Sequence, residues 1–224
     1  KFIDYIDFNP NDPRYNSCWH LNKIQASLAW DIGTGNSSIT VAIVDDAVQR
    51  THPDLNNVIW NNLLEIPNNG IDDDNNGYID DYNGWDVADN DNNTNPPNTN
   101  LDHGTHVAGI AGAHTNNNIG VSSIGYGISI IPVKATRDNN LNGTINNAYD
   151  GVYYAALNNA DIINCSWGGS YYSQTNNNII QSAINNGSII VASAGNSNVN
   201  LGSSPRYPSC YNGVICVANT TQSD

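Results

Sequence analysis

The sequence predicts an α/β fold in which a parallel sheet carries helices on both faces. Short runs rich in β-branched residues alternate along the chain with segments whose apolar residues recur at helical spacing. Strands that alternate with helices form parallel sheets, because each helix carries the chain back to the same edge. The predicted strands are 39–44, 128–133, 162–165, 189–192 and 214–218, and the predicted helices are 24–30, 106–113, 145–157 and 179–184.

The remaining segments define the predicted domain organisation. A chain of 224 residues can form one domain with a sizeable core. Residues 1–23 are polar, with turn signals at Asn9-Pro10 and Asp12-Pro13, and are expected to form an irregular N-terminal extension to a domain spanning 24–224. Residues 56–100 are rich in Asn and Asp and lack periodicity, which predicts a long loop region of the kind that often carries function.

The charge balance narrows the classes of partner. The sequence contains 7 Lys and Arg residues and 21 Asp and Glu residues, which gives a formal net charge of −14 at pH 7. Nucleic acids and anionic membrane surfaces are excluded as partners, because both require clustered positive charge. The sequence also lacks an apolar run of ~18 residues that could span a membrane. The acidic residues are clustered, so they serve either solubility or the binding of cations.

The cysteines and the first residue bear on the compartment. Cys18, Cys165, Cys210 and Cys216 show no zinc-site spacing, and they allow three complete disulfide pairings between which the sequence does not choose. The chain opens at Lys1 with no signal peptide. Removal of an N-terminal segment during processing would explain both features and predicts secretion.

Polar residues follow three of the predicted strands, where parallel α/β sheets place their sites. Asp45 and Asp46 follow the first strand, residues 166–169 follow the third, and residues 193–196, ending in Asn196, follow the fourth. His103 opens a helix. A base, a carboxylate that orients it and an amide donor for an oxyanion are the parts that amide hydrolysis needs. Taken singly, each has a commoner explanation. An Asp after a strand is usually a helix cap, a lone His is usually structural, and an Asn after Gly usually belongs to a turn.

Four motifs in register decide between these alternatives. They are VAIVDD at 41–46 with HPDL at 52–55, HGTHVAG at 103–109, SWGG at 166–169 and AGN at 194–196. Together they resemble the subtilase family of subtilisin-like serine peptidases, of the bacterial secreted type. The resemblance implies a subtilisin-like α/β domain that hydrolyses peptide bonds in peptide or protein substrates.

The resemblance also implies a role for each matching residue. His103 is the general base, Asp45 orients its imidazole, and Asn196 donates to the oxyanion. The substrate pairs with the chain as an added strand. The residues expected to bind it are Ser166, Trp167, Gly168, Ala194 and Gly195, with Leu141, Asn142 and Gly143 on the opposite wall and Arg206 at the base of the pocket for the side chain before the scissile bond.

Two departures from the family pattern affect the expected function. Asp46 and Ala47 stand where Ser or Thr and then Gly are usual; Asp46 matches the kexin branch, but Ala47 does not. The sequence also has no Gly-Thr-Ser motif for the nucleophile, so the serine is expected beyond residue 224 and the chain alone is expected to be inert. The expected partner is then the remaining C-terminal part of the same domain. Without that part, the sheet is expected to be incomplete on its C-terminal side. A catalytically dead pseudopeptidase and a calcium-binding adhesion module are the alternatives.

Two calcium sites are expected. The first matches the strong calcium site of the family, and Ca²⁺ prefers six to eight oxygen ligands. The second matches the early positions of an EF-hand loop but has Asn83 at the twelfth position in place of Glu. The ligands of the first are Asp54, Thr115, Asn117, Ile119 and Val121, and those of the second are Asp72, Asp74, Asn76, Tyr78 and Asp80.

Overall fold

The computed structural model describes residues 8–140 and 142–223. Within these residues, five α-helices and six β-strands follow a 3₁₀ turn at Tyr15–Ser17. The helices are α1 Trp19–Lys23, α2 Ala26–Ile32, α3 His103–Gly112, α4 Ala148–Leu157 and α5 Gln174–Asn185. The strands are β1 Thr40–Asp45, β2 Trp85–Asp86, β3 Ser129–Lys134, β4 Ile162–Cys165, β5 Ile189–Ser193 and β6 Ile215–Val217.

The strands form one sheet in the order β2-β3-β1-β4-β5-β6, and every neighbouring pair is parallel. The predicted parallel α/β sheet is therefore confirmed. Strand β1 lies inside the sheet, where Val41 pairs with Ile162 of β4 and Asp45 pairs with Lys134 of β3. Because all strands run the same way, their carboxyl ends share one edge, and Asp45 lies there at the end of an inner strand.

Helices cover both faces of the sheet. Successive side chains of a strand point to opposite faces, so one strand can pack against helices on both sides. On one face, Val41 and Ile43 pack in a buried cluster with Ala108 of α3. On the other, Val44 packs in a second cluster with Val152 of α4. Strand β1 is therefore buried on both faces, which explains its continuous apolar sequence.

All four predicted helices differ from their predicted bounds, and α2 lies two residues further along the chain than predicted. Helix α3 begins at His103, earlier than the apolar pattern indicated, and α4 begins at Ala148, later than indicated. Helix α5 is longer than predicted because its first turn is made of Gln, Thr and Asn, which carry no apolar periodicity. Its start is marked instead by Ser173, whose hydroxyl oxygen accepts a hydrogen bond from the amide of Asn176.

The segment expected to be irregular is partly helical. It contains the 3₁₀ turn and α1, and Leu21 packs with Trp30 of α2 in a third buried cluster. The part of this prediction that concerns residues 1–7 lies outside the described residues. The long loop region was also predicted without a strand, yet β2 pairs there with Val133 and Lys134 of β3. Two residues are too few to give a periodic signal.

The cysteines and the helix lengths complete the description of the fold. All four cysteines are free thiols; Cys18 and Cys165 are buried, whereas Cys216 on β6 is exposed. Burial raises the pKa of the Cys165 thiol far above its ordinary range. Over residues 8–140 and 142–223, no helix is long and apolar enough to cross a bilayer.

Candidate active site

Asp45 and His103 form a direct pair at the carboxyl end of β1. Nδ1 of His103 lies 2.7 Å from Oδ1 of Asp45. The Asp45 side chain is fully buried, whereas that of His103 is 55% exposed. The amide of Asp46 donates to the same Oδ1 at 2.8 Å, while Oδ2 of Asp45 is buried with no partner among the described residues. The ring is therefore held at one nitrogen and open to solvent at its outer side.

The pair changes the protonation of the imidazole. The hydrogen bond to Asp45 raises the pKa of His103 above its ordinary value of 6.5, although partial burial acts in the opposite direction. The negative charges of Asp45, Asp46 and Asp102 raise this pKa further. A carboxylate that accepts from Nδ1 leaves Nε2 to accept a proton, which is the tautomer of a general base.

The predicted oxyanion donor and part of the substrate strand border one cavity. Ser166, after β4, and Asn196, after β5, line a cavity of about 1910 Å³ whose other walls include Thr105 and His106 of the helix that carries His103. Ser166 is fixed there by Asn164, whose Nδ2 donates to its hydroxyl at 2.9 Å. Asn196 is exposed and follows Gly195, whose φ of +85° favours glycine.

The other predicted substrate-binding residues lie in three different settings. The Trp167 ring packs against Tyr149 with centroids 5.2 Å apart, so its side chain belongs to the α4 side of the sheet. Gly169, which follows Gly168, exchanges two backbone hydrogen bonds of 2.8 Å with Tyr207. On the opposite wall, Leu141 lies outside the described residues, Asn142 is exposed and Gly143 has a φ of +65°.

Arg206 lies beside the oxyanion segment. Its Nη2 donates to the hydroxyl of Ser197 at 3.4 Å, one residue after Asn196, and its side chain is half-buried. Arg206 does not border the cavity that Asn196 lines. The guanidinium therefore contacts the residue that follows the oxyanion segment, but it bonds to Ser197 and does not line the cavity.

The first predicted calcium loop is assembled around a buried carboxylate. Oδ1 of Asp54 accepts from Nδ2 of Asn117 and Oδ2 accepts from the amide of Val121, both at 2.9 Å. Thr115 is also buried. Gly120 has a φ of +49°, and a Cβ there would overlap the Asp54 carboxylate, so this loop closes on Asp54 only with glycine.

Asp12 is a site residue that the sequence did not reveal. Its buried carboxylate accepts from the amides of Asn116 and Asn117, at 2.9 and 3.0 Å, and from the hydroxyl of Ser122 at 2.6 Å. The loop therefore has a buried carboxylate on two sides, Asp12 and Asp54. A single Asp in a polar, proline-rich segment gives no pattern by which to recognise this contact.

The acidic loop gathers a different set of carboxylates from the one predicted. Oxygens of Glu65, Asp74 and Asp81 lie within 4.8 Å of one another and could hold a metal ion. Glu65 and Asp81 are buried, and burial raises the pKa of both carboxyl groups. Only Asp74 was predicted. Its partners were missed because Glu65 precedes the motif and Asp81 falls at a position that the EF-hand pattern does not use for a ligand.

Three other predicted ligands of this loop bond within the loop or pack on the core. Asp72 accepts from the amides of Asn76 and Gly77, at 3.1 and 2.9 Å. Asp80 accepts from the amides of Asn69 and Gly70, both at 2.9 Å. Tyr78 packs its ring against Tyr154, with centroids 4.8 Å apart, and the Tyr154 hydroxyl donates to Asp81 at 2.8 Å. The loop is thereby joined to the core through α4.

A second acidic group contains its own cation. Asp86, Asp89 and Asp138 form a cluster that could hold a metal, but the buried ammonium of Lys134 already bonds to Asp86 and, at 2.6 Å, to Asp138. Burial alone would lower the pKa of Lys134, but the hydrogen bonds to Asp138 and Asp86 outweigh it and raise this pKa. The cluster is therefore neutralised in part by the chain itself.

Comparisons with known sequences agree with this geometry. The model of the Subtilase family matches residues 36–224. Thermitase of Thermoactinomyces vulgaris is 38% identical over 97% of this chain and 67% of its own length. A thermophilic serine proteinase of Bacillus sp. strain AK1 is 34% identical over 97% of this chain and 47% of its own. The chain thus spans two thirds of the first relative and about half of the second.

Solved structures agree as well. A structure of proteases from Pseudoalteromonas arctica superimposes with a TM-score of 0.75 at 29% identity, over 96% of this chain and 67% of the other. Fervidolysin from Fervidobacterium pennivorans, described as a keratinolytic enzyme related to subtilisin, superimposes with a TM-score of 0.69 at 27% identity. The match covers 92% of this chain and 28% of fervidolysin. With a family match over most of its residues and a shared fold, this chain belongs to the subtilase family.

Proposed function

We propose that the chain supplies the base, the orienting carboxylate and the oxyanion donor of a secreted, calcium-dependent serine endopeptidase. The observation that carries this proposal is the 2.7 Å contact between Nδ1 of His103 and the buried Asp45 carboxylate. In a subtilase such a pair activates a serine hydroxyl. We place that serine beyond residue 224, in a catalytic domain that begins near residue 24 after an N-terminal extension.

Each group has one task in the proposed reaction. Nε2 of His103 takes the proton of the serine hydroxyl as it attacks the peptide carbonyl and then gives it to the leaving amine. Asp45 holds the ring and stabilises the imidazolium between these two transfers. Asn196 donates to the oxygen that gains negative charge, as the asparagine of subtilisin does in the known example of this effect.

The substrate would bind as an extended strand. Ser166, Trp167 and Gly168 form one wall with main-chain groups for pairing, and Ala194 and Gly195 lead to the oxyanion donor. Leu141, Asn142 and Gly143 would form the other wall. The side chain before the scissile bond would approach Arg206. We infer peptides or proteins as substrates, because relatives named as proteases share this sequence pattern.

Calcium fits both loops by the chemistry of their donors. In the first, Asp54 and Asn117 would give side-chain oxygens, and Thr115, Ile119 and Val121 backbone carbonyls. Two carboxylates there, Asp54 and the unpredicted Asp12, are buried and have no basic partner among residues 8–140 and 142–223. In the second, we place the ion at Glu65, Asp74 and Asp81. The other predicted ligands would support this site from the surrounding loop: Asp72, Asn76, Tyr78 and Asp80. Such hard oxygen ligands suit Ca²⁺, which would neutralise repelling charges and lock the loops.

Secretion is supported by the relatives. An extracellular basic protease of Dichelobacter nodosus is 32% identical over 98% of this chain and 39% of its own length. An extracellular protease of Xanthomonas campestris pv. campestris is 33% identical over 98% of this chain and 40% of its own length. Calcium sites of loop type also match the higher calcium concentrations outside cells.

A serine-directed probe tests the proposed function. The complete enzyme, expressed with the sequence that follows residue 224, should react with a fluorophosphonate at one serine beyond Asp224 and hydrolyse casein. The His103→Ala variant should lose both properties, whereas residues 1–224 alone should show neither. A complete wild-type protein that is folded but unlabelled would be a pseudopeptidase, and labelling within residues 1–224 would overturn the assignment of the nucleophile.

A further inference from the structure

Asp46 makes contacts that its place next to Asp45 does not explain. Its carboxylate is buried, with 3% of the residue exposed. Oδ1 accepts from the amide of Gly104 at 2.8 Å and from that of Ala47 at 2.6 Å, and Oδ2 accepts from the amide of His103 at 3.2 Å. Two of these donors are the first two residues of α3, so Asp46 bonds to the start of the helix that carries the base.

The residue before α3 gives the helix no side-chain cap within the described part of the chain. Asp102 occupies the N-cap position, but its side chain makes no capping hydrogen bond. The first amides of any helix lack partners within the helix, and a carboxylate satisfies them and interacts favourably with the helix dipole. Here the cap comes from the end of β1, more than fifty residues earlier in the sequence.

We propose that Asp46 is a positioning residue for His103. Consecutive residues at the end of β1 hold this histidine at two points, Asp45 at the ring nitrogen and Asp46 at the peptide nitrogen. Two attachments to one rigid strand fix where Nε2 points, which a single contact to the ring would not. The proposal rests on the proposed function, because only a base has to be placed with this accuracy.

Gly104 makes the double attachment possible. A Cβ at this position would lie 2.7 Å from the Cβ of Asp45, closer than carbon atoms approach. Without a side chain, the first turn of α3 comes near enough to β1 for the Gly104 amide to reach Asp46. The glycine and the second aspartate therefore act together, whereas the serine or threonine usual in the family has a shorter side chain and no charge.

The carboxylate also affects the charge state of the base. The carboxylates of Asp45, Asp46 and Asp102 all raise the pKa of His103, so each stabilises the imidazolium. Removing the charge of Asp46 should therefore lower the pH at which His103 loses its proton. The acid limb of the pH profile therefore reports the charge of Asp46. The plateau value of kcat, normalised to titrated active sites, reports the placement of the base, and a role in stability alone would leave that value unchanged.

The test compares three variants of the complete enzyme: Asp46→Asn, Asp46→Ser and Asp102→Asn. Asp46→Asn keeps the shape but loses the charge and one acceptor. We expect kcat at the pH plateau to fall by about 10-fold to 100-fold, as for other small displacements of catalytic groups, with KM unchanged. We also expect the acid limb to move to lower pH and Asp46→Ser to recover part of the loss. Rates are divided by the concentration of active sites, titrated with fluorophosphonate. Unfolded protein does not react with this probe and therefore does not lower the measured kcat.

Asp102→Asn is the matched control, because it removes a neighbouring charge without removing a cap. It should move the acid limb slightly and leave kcat near that of the wild type. The proposal is overturned if Asp46→Asn keeps the plateau kcat of the wild type, whatever its acid limb, or if Asp102→Asn loses as much kcat. In the wild-type enzyme, fast hydrogen exchange at the amide of Gly104 would also overturn it, even if no Asp46 variant folds.

Failure of the proposed function has a separate result. If the wild-type enzyme is folded but neither binds fluorophosphonate nor hydrolyses casein, the peptidase assignment fails, and the role of Asp46 fails with it. If the wild type is active and depends on His103 while Asp46→Asn is unchanged, only the inference about Asp46 is wrong.

Discussion

The indole Nε1 of Trp167 lies 2.8 Å from the carbonyl oxygen of Val44 and donates a hydrogen bond to it. Val44 directly precedes Asp45, so the bond joins the predicted substrate-binding segment to the strand that carries the orienting carboxylate. The order of the sheet places β4 next to β1, and this bond extends their contact beyond the end of the paired residues.

Substitution of Trp167 tests this connection. Trp167→Phe keeps an aromatic ring against Tyr149 but leaves the Val44 oxygen without this donor. We expect the free energy of unfolding to fall by about 1 kcal/mol, the usual net value of one hydrogen bond, measured by urea denaturation. Tyr171→Phe is the control, because Tyr171 is 89% exposed. An equal change in both variants would contradict the structural role of the indole N–H.

The Asp45 and His103 pair predicts a specific pH dependence. His103 must be neutral to act as a base, and its pKa is raised above 6.5 chiefly by the hydrogen bond to Asp45. The acid limb of kcat/KM should therefore lie above pH 6.5. In Asp45→Asn this limb should move to lower pH and kcat should fall ~10⁴-fold, as in other serine peptidases that lose the carboxylate. A wild-type limb below the ordinary histidine range would contradict the pair.

The cluster around Lys134 predicts a large loss of stability. Lys134→Met leaves the Asp86 carboxylate buried without its cation, which typically costs about 3–5 kcal/mol. Urea denaturation of the variant measures this loss. The double variant Lys134→Met and Asp86→Leu should recover most of it, because removing both charges is often neutral. Similar stability in Lys134→Met and wild type would mean that another cation occupies the cluster.

Calcium removal should lower the stability of the folded enzyme. An ion at one hundred times its dissociation constant contributes about 2.7 kcal/mol, so a strong chelator should lower Tm by several degrees. Glu65→Gln and Asp81→Asn should each reduce that shift, as should Asp12→Asn and Asp54→Asn for the other loop. Asp150→Asn, on the exposed side of α4, is the control. An unchanged Tm in chelator would exclude both ions.

Arg206 leads to a prediction about specificity. If its guanidinium turns from Ser197 into the pocket, it could pair with a substrate carboxylate, a charge-assisted contact. We expect the ratio of kcat/KM for Glu over Phe before the scissile bond to fall in Arg206→Gly. Matched peptides and the complete enzyme provide the measurement. A wide preference for Phe in the wild type, unchanged by the substitution, would show that Arg206 stays on the outside.

The sequence predicted most of the sheet because its inner strands are buried on both faces and carry continuous apolar runs. The same reasoning found Asp45 and the residues that follow β4 and β5, since sites in such sheets lie at the strand ends. The apolar pattern alone placed the start of α3 too late, because the first turn, His103 to Thr105, is not apolar, although His103 itself was expected to open a helix. That turn is stabilised by Asp46, a contact between distant parts of the chain.

The acidic loop shows why site residues are harder to predict than strands. A local motif was sufficient to find Asp74, but Glu65 and Asp81 enter the cluster through the folding of the loop on α4, where Tyr154 bonds to Asp81. Asp12 likewise acquires its role only when the N-terminal segment packs beside Asn117. Contacts of this kind depend on the tertiary structure and leave no periodic signal in the sequence.

The pairing of β1 with β4 has a consequence for how the protein folds. Val41 meets Ile162, and between them lie the acidic loop, α3, β3 and α4. Proteins whose contacts join distant residues fold slowly, because closing long loops costs entropy before any contact compensates for it. We therefore expect the chain to refold slowly. The contact between His103 and Asp45, which joins residues 58 positions apart, should form only after the intervening chain has been brought into place.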